Sequence, residues 1–247
     1  MNAPTRPGSA TPHWTSAGAT DQGLVRKINQ DAFLDRPDFG LWVVADGMGG
    51  HSDGAHASRA IVEALAALPR PRLLGGAAQA IAAALRAVNR RLLDDALRLQ
   101  SDLIGSTAVV LVAVDGHCAV LWTGDSRAYR QRSGNLHQLT TDHSQVQRMV
   151  ELGLLAPEQA ESHPAANVLL RAVGADPVLD VDVRVERLRV GDQFLLCSDG
   201  LYREVSVAQI GEILQSLDPA RSAGELVRVA CEHGGKDNVT AVVVRVE

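Results

Sequence analysis

The segment 107–139, TAVVLVAVDGHCAVLWTGDSRAYRQRSGNLHQL, decides the fold. Its first apolar run, 107–114, stops at Asp115-Gly116, and a second run follows over 118–123. A DG step between two apolar runs signals a β-hairpin, because both residues tolerate the positive φ that a two-residue turn needs. A further strand is expected at 127–132. It turns at Ser133-Gly134-Asn135 into 136–139. Four successive strands joined by tight turns imply an antiparallel sheet rather than a parallel one, which would need long crossovers.

Strands are also expected upstream at 13–19, 32–34 and 41–45, each bounded by Gly, Asp or Pro. Between them and the central segment the period changes. Ala57, Ala60, Ile61, Ala64, Leu65 and Leu68 recur at three- and four-residue steps until Pro69. Ile81, Leu85, Val88, Leu92 and Ala96 repeat the pattern after a break at Gly75-Gly76, with Arg86, Arg90, Asp94 and Asp95 on the opposite, solvated face. Downstream, strands are expected at 178–185 and 194–197. A helix carries Val207, Ile210, Ile213, Leu214 and Leu217, and Asp218-Pro219 caps and starts another that ends near Gly234-Gly235. The strand 239–246 closes the chain. Grouped strands with two helix pairs give an α+β fold, a four-layer αββα sandwich of two antiparallel β-sheets flanked by helix pairs. Residues 1–12, small, polar and Pro-rich, read as a flexible tail, and 13–247 as a single domain. The polar stretch 141–176 interrupts the strand series. It reads as a flap with short helices at 144–152 and 157–161.

A chain of 247 residues with 46% hydrophobic and 21% charged residues has an ample core, built from Ala, Val and Leu because aromatics are only 3%. The net charge of −5 argues against nucleic acid and anionic lipid as partners. Cys118, Cys197 and Cys231 are too few and too scattered for a disulfide framework or a zinc knuckle. No apolar run approaches the ~18 residues of a membrane span, and the first residues lack a basic-then-apolar leader, so a cytoplasmic protein is expected.

The chemistry candidates are acidic. Asp46 follows LWVVA, Asp125 follows AVLWTG, Asp199 follows FLLCS, and Asp237 precedes an apolar run. In antiparallel neighbours the end of one strand lies beside the start of the next, so all four carboxylates are expected at one rim. Grouped carboxylates repel unless a cation holds them, and oxygen donors favour Mg²⁺ or Mn²⁺ over zinc. Asp before Gly is also an ordinary turn, and Asp115-Gly116 is read as only that.

The residues around these positions are richer than turns need: Asp46-Gly47-Met48-Gly49-Gly50-His51, Gly23 to Asp31 (GLVRKINQD), Gly105-Ser106-Thr107, Gly124-Asp125-Ser126-Arg127, Cys197-Ser198-Asp199-Gly200-Leu201 and Asp237-Asn238-Val239-Thr240. In this order they resemble the PPM (PP2C-like) metal-dependent serine/threonine protein phosphatases in their compact bacterial form, over residues 14–246. The resemblance implies hydrolysis of phosphoserine and phosphothreonine by a metal-activated hydroxide. Asp46 would bridge two Mn²⁺ or Mg²⁺ ions, the Gly47 carbonyl would bind the first, and Asp199 and Asp237 the second. Asp125 with Asp199 would hold a third, weaker ion of the kind often seen in bacterial members. Arg26 matches the arginine that grips the substrate phosphate, and Asp31 the acidic residue near the metal waters. The implied partners are phosphorylated proteins, among them a bacterial Ser/Thr kinase and its substrates, and the implied state is a monomer.

Two positions depart from the pattern. Gln30 stands where many members carry Glu, and Met48 where animal members carry a histidine proposed as general acid. His51 is a candidate proton donor, while Ser126 and Arg127 are read as shaping the Asp125 turn and His143 and His163 as flap packing. A noncatalytic phosphoprotein-binding member of the same fold is the main alternative. A cysteine phosphatase is disfavoured because the arginine that should follow Cys118 falls at Gly124. A carboxylate-cluster nuclease is disfavoured by the lack of a basic stripe.

Overall fold

The computed structural model describes residues 13–50, 53–70 and 72–247. The expected tail, 1–12, and His51 lie outside the described residues. Among the described residues there are eleven strands: β1 (Trp14–Asp21), β2 (Asp31–Arg36), β3 (Leu41–Gly49), β4 (Ile104–Ser106), β5 (Ala108–Val114), β6 (His117–Thr123), β7 (Arg127–Arg132), β8 (Asn135–Gln138), β9 (Asp182–Arg187), β10 (Gln193–Cys197) and β11 (Val239–Val246). They form a five-stranded sheet ordered β1-β11-β10-β7-β8 and a six-stranded sheet ordered β2-β3-β5-β6-β9, with β4 pairing β3. Every named pairing is antiparallel. The α+β sandwich expected from the sequence is therefore present. Both turns of the deciding segment work as read. Asp115 and Gly116 have φ of 47° and 75°, and Ser133 and Gly134 have 51° and 80°, the left-handed pairs that two-residue hairpins require.

The central strands β3, β5, β6, β10 and β11 read as continuous apolar runs because both their faces are covered. Trp42, Val44, Val109, Leu111, Val120, Trp122, Phe194, Leu196, Val242 and Val244 pack between the sheets. Their alternates Val43, Ala45, Val110, Val112 and Leu121 face α1 (Asp53–Ala66) and α2 (Leu74–Leu99) through Ile61, Leu65, Ile81, Leu85 and Leu92. On the other outer face Leu195, Cys197, Ala241 and Val243 meet α5 (Val207–Ser216) and α6 (Pro219–Glu232) through Ile210, Leu214, Leu226 and Ala230. Asp218 caps α6 as expected, accepting from the Arg221 N–H at 3.0 Å.

Four local expectations need correction. Asp46 does not end its strand: β3 continues to Gly49 because β4 supplies a new partner after β5 is left at Val44. Gly75-Gly76 is no break but the first turn of α2, where N–H groups lack intrahelical partners and the apolar face from Ala77 onward holds the helix. The strand expected at 178–185 begins instead at Asp182, where pairing with Trp122 starts. Asp199 opens a short helix, α4 (Asp199–Tyr202), that periodicity could not show because it is one turn long. The flap contains α3 (Gln145–Glu151), capped by Ser144, and a 3₁₀ turn, Pro157–Gln159.

Leu111 is 1% exposed at the middle of the inter-sheet layer. Leu111→Ala should cost about 2–5 kcal/mol, seen as a lower urea midpoint with an unchanged slope. A loss under about 1 kcal/mol would mean that the two sheets close over the gap.

Candidate active site

Arg26, Asp46, Gly47, Asp125, Asp199 and Asp237 all line one cavity of about 550 Å³. The backbone dictates how each arrives there. Asp46 sits where β3 changes partner, opposite the interruption between β4 and β5 at Thr107. There the Thr107 N–H donates to the Asp46 carbonyl at 2.8 Å, and the Asp46 N–H donates to Thr107 Oγ1 at 3.1 Å. Ser126 Oγ lies 2.7 Å from the same Thr107 hydroxyl, so the turn before β7 is tied to the strand that aims Asp46. A Cβ on Gly47 would fall 2.1 Å from the Gly54 carbonyl oxygen and 2.6 Å from that of Gln30, so only glycine lets the start of α1 close on the cavity wall. That packing, rather than ligand approach alone, fixes the glycine.

Arg26 lies on the loop between β1 and β2. Asn238 pins this loop, its Nδ2 donating to the carbonyls of Gln22 (2.9 Å) and Ile28 (3.0 Å) while its Oδ1 accepts from the Gln30 N–H at 2.8 Å. The sequence shows Asn238 beside Asp237 but gives no hint of this distant clamp. Arg26 Nη2 then meets Asp237 Oδ2 at 2.7 Å.

Electrostatics sets this cavity apart from a turn cluster. Asp31 and Asp46 are directly paired across β2 and β3. Asp31 Oδ2 accepts from Ser198 Oγ and Thr240 Oγ1, both at 2.7 Å, while Oδ1 is buried with no partner. Burial, against those hydrogen bonds and reinforced by Asp199 and Asp237, pushes Asp31 up to about 7. Burial, then repulsion from Asp31 and Asp199, raises Asp46 well above the usual carboxylate range. Asp125 is pushed up to about 7 by burial and then by Asp199, and Asp199 is raised chiefly by burial. Among the described residues Asp46 takes part in no ion pair, whereas Asp237 has Arg26, and Asp199 and Asp125 share Arg203. Nor do three acidic, histidine or cysteine side chains among the described residues already meet as a closed ligand cage. Oxygen donors, a buried orphan acceptor and uncompensated charge together suit a hard divalent cation.

Arg203 was not singled out in the sequence, whereas the flap read at 141–176 contributes its segment 167–172 to the lining of the cavity. An arginine four residues after Asp199 in a one-turn helix was the only available signal for Arg203. Arg127 does shape its turn, pairing bidentately with Asp142 at 2.8–3.1 Å and stacking 3.5 Å over Tyr202. His143 is a packing residue. It stacks on Trp122, accepts from the Gly124 N–H at 3.2 Å and donates to Asp182 at 3.3 Å.

This arrangement of two helix-flanked sheets around an acidic cavity has known counterparts. Residues 25–241 match the family model of protein phosphatase 2C, and the chain belongs to that family. It is 38% identical over 232 residues to the serine/threonine protein phosphatase PstP of Mycobacterium tuberculosis, covering 93% of this chain but 44% of that one, so it spans under half of this curated relative. Its structure is similar to that of PppA, a key regulatory component of the type VI secretion system in Pseudomonas aeruginosa. The two share a TM-score of 0.90 and 39% identity, over 96% of this chain and 99% of the other. The catalytic domain of PstP in complex with two manganese ions gives a TM-score of 0.85 at 34% identity, over 96% and 99%. Among the described residues no helix is long and apolar enough to cross a membrane.

Two outcomes follow from this geometry. Asn238→Ala should speed backbone hydrogen exchange across 22–30 and cost about 2–3 kcal/mol by leaving three backbone groups unpaired, and unchanged exchange there would refute the clamp. The second concerns pH. Unfolded, the carboxyls of Asp31 and Asp125 lose their protons near pH ~4, but folded they keep them to about 7. The folded chain thus binds more protons across that window, and this stabilisation is lost as pH rises through about 7. In a chelator, the thermal midpoint should fall between pH 5 and pH 8, and Asp31→Asn should flatten the fall. A midpoint that rises across this range would contradict the shifts.

Proposed function

We propose that the chain is a protein serine/threonine phosphatase that hydrolyses phosphoserine and phosphothreonine at a site holding two divalent cations, Mn²⁺ or Mg²⁺. The convergence of Asp46, Gly47, Asp199 and Asp237 with Arg26 on one cavity carries this reading. Asp46, the Gly47 carbonyl, Asp199 and Asp237 would hold the ions. When bound, they supply charge that acidifies water and offsets the phosphoryl oxygens.

The protein's own groups do the rest. Thr107 and Ser126 hold the Asp46 backbone, so that its carboxylate is positioned before any ion arrives. Arg26 is half-exposed and paired only with Asp237 among the described residues, so with Asp237 engaged by an ion its guanidinium would be available to grip a phosphate. Asp31 keeps a proton until pH about 7, which lowers the charge that Asp46 must tolerate beside it. The flap segment 167–172 lines the same cavity as the aspartates, where it would meet a protein substrate. The domain, 13–247 with its flap, acts in this reading as a cytoplasmic monomer on phosphorylated proteins, including a Ser/Thr kinase and its substrates. The names of the similar proteins and the two manganese ions in the PstP domain support it.

The wild-type protein should release phosphate from p-nitrophenyl phosphate and from a phosphothreonine peptide only with Mn²⁺ or Mg²⁺ present. Asp199→Asn should lower kcat by about 100-fold or more. Peptide binding without turnover at any metal concentration would instead mark a noncatalytic phosphoprotein-binding member.

A further inference from the structure

We infer that Arg203 is the resident counter-cation of the Asp125–Asp199 pair, that it limits the cavity to two divalent ions, and that it latches the flap to the site. This rests on the reading of the cavity as a cation site. Arg203 follows α4 directly, one turn beyond Asp199. Its Nη2 lies 3.1 Å from Asp199 Oδ2 and 3.6 Å from Asp125 Oδ2. The same guanidinium donates to the Ala166 carbonyl at 3.3 Å and to Asn167 Oδ1. Its side chain is only 25% exposed. Tyr202, the residue before it, is covered by the Arg127 guanidinium, which is itself fixed by Asp142.

Arginine has five N–H donors in a rigid fork, and its charge persists at every relevant pH. Here Nη2 serves both carboxylates and the Ala166 carbonyl, while Nη1 donates to Asn167 Oδ1, so one fork joins the acidic pair to the flap. Asp125 and Asp199 are the pair that family resemblance would assign to a third ion. A divalent cation there would need the oxygens that Arg203 faces, and it would stand beside a fixed positive charge at contact distance. Its entry therefore requires the guanidinium to leave, and leaving breaks the contacts to Ala166 and Asn167. The two events are linked. Whatever draws the flap from Arg203 raises the affinity of the pair for a cation, and a cation bound there loosens the flap by the same factor.

Equilibrium dialysis of the full chain against Mn²⁺, with bound metal counted, tests the first claim, and hydrogen exchange over 160–171 tests the second. Wild type should bind two ions and protect Ala166 and Asn167. Arg203→Met, uncharged and of similar length, should bind three, the third at least tenfold more tightly than wild type binds any third ion, and exchange at 166–167 should rise at least tenfold. Asp125→Asn added to Arg203→Met should return the count to two. Arg203→Lys keeps a charge without the fork, so it should stay at two ions while losing flap protection, and it carries the test should Arg203→Met not fold. Three ions on wild type, two on a folded Arg203→Met, or full flap protection in Arg203→Lys would overturn the inference. A wild type that binds no manganese would overturn the cation-site reading itself.

Discussion

The structure turns on the crowding of carboxylates between two sheets. Asp31 and Asp46 are cross-strand neighbours, and Asp125 and Asp199 are close enough to share one arginine. Side by side in a half-dry cavity, such groups cannot all ionise cheaply, and the result is the set of raised proton affinities around the cavity. A fold tolerates that arrangement only if the surrounding framework is rigid and if something positive takes up the charge. The three apolar layers supply the rigidity. Protons, two arginines and, in the proposed function, divalent ions supply the positive charge.

The framework and the site are coupled through a few backbone irregularities. Asp46 is aimed by the switch of β3 from β5 to β4, and the switch is stitched by Thr107. Gly47 exists in its form because α1 begins against it. Asn238 ties the Arg26 loop to the start of β11, so Arg26 and Asp237 ride on one clamp. Arg203 joins Asp125 and Asp199 to the flap. Regular strands carry the core, and the departures from regularity carry the chemistry, because a breached ladder is what turns a side chain away from its alternating face.

Much of this was legible in the chain. The hairpins at Asp115-Gly116 and Ser133-Gly134, the helix periodicities and the Asp218-Pro219 start are local signals, and local geometry honours them. The four aspartates stood out because each stands near the border of an apolar run, three of them next to a glycine. The misplacements lie where a local pattern is too short to decide. The end of β3 and the start of β9 are fixed by strands distant in sequence, the first turn of α2 is held by the apolar face that follows it, and α4 is a single turn. The Arg203 latch and the Asn238 clamp span 36 to 216 residues of sequence, which no local pattern reports.

By itself the sequence determined the class of fold, the order of its elements and which acidic residues stand at strand borders, because hydrophobic period and turn chemistry act over a few residues. Only the tertiary structure decided that those carboxylates share one cavity, that two arginines already pair with three of them, and that the flap contributes to its lining. Electrostatic fields and long-range contacts depend on distance in space. The chain acquires those distances only when its two sheets close.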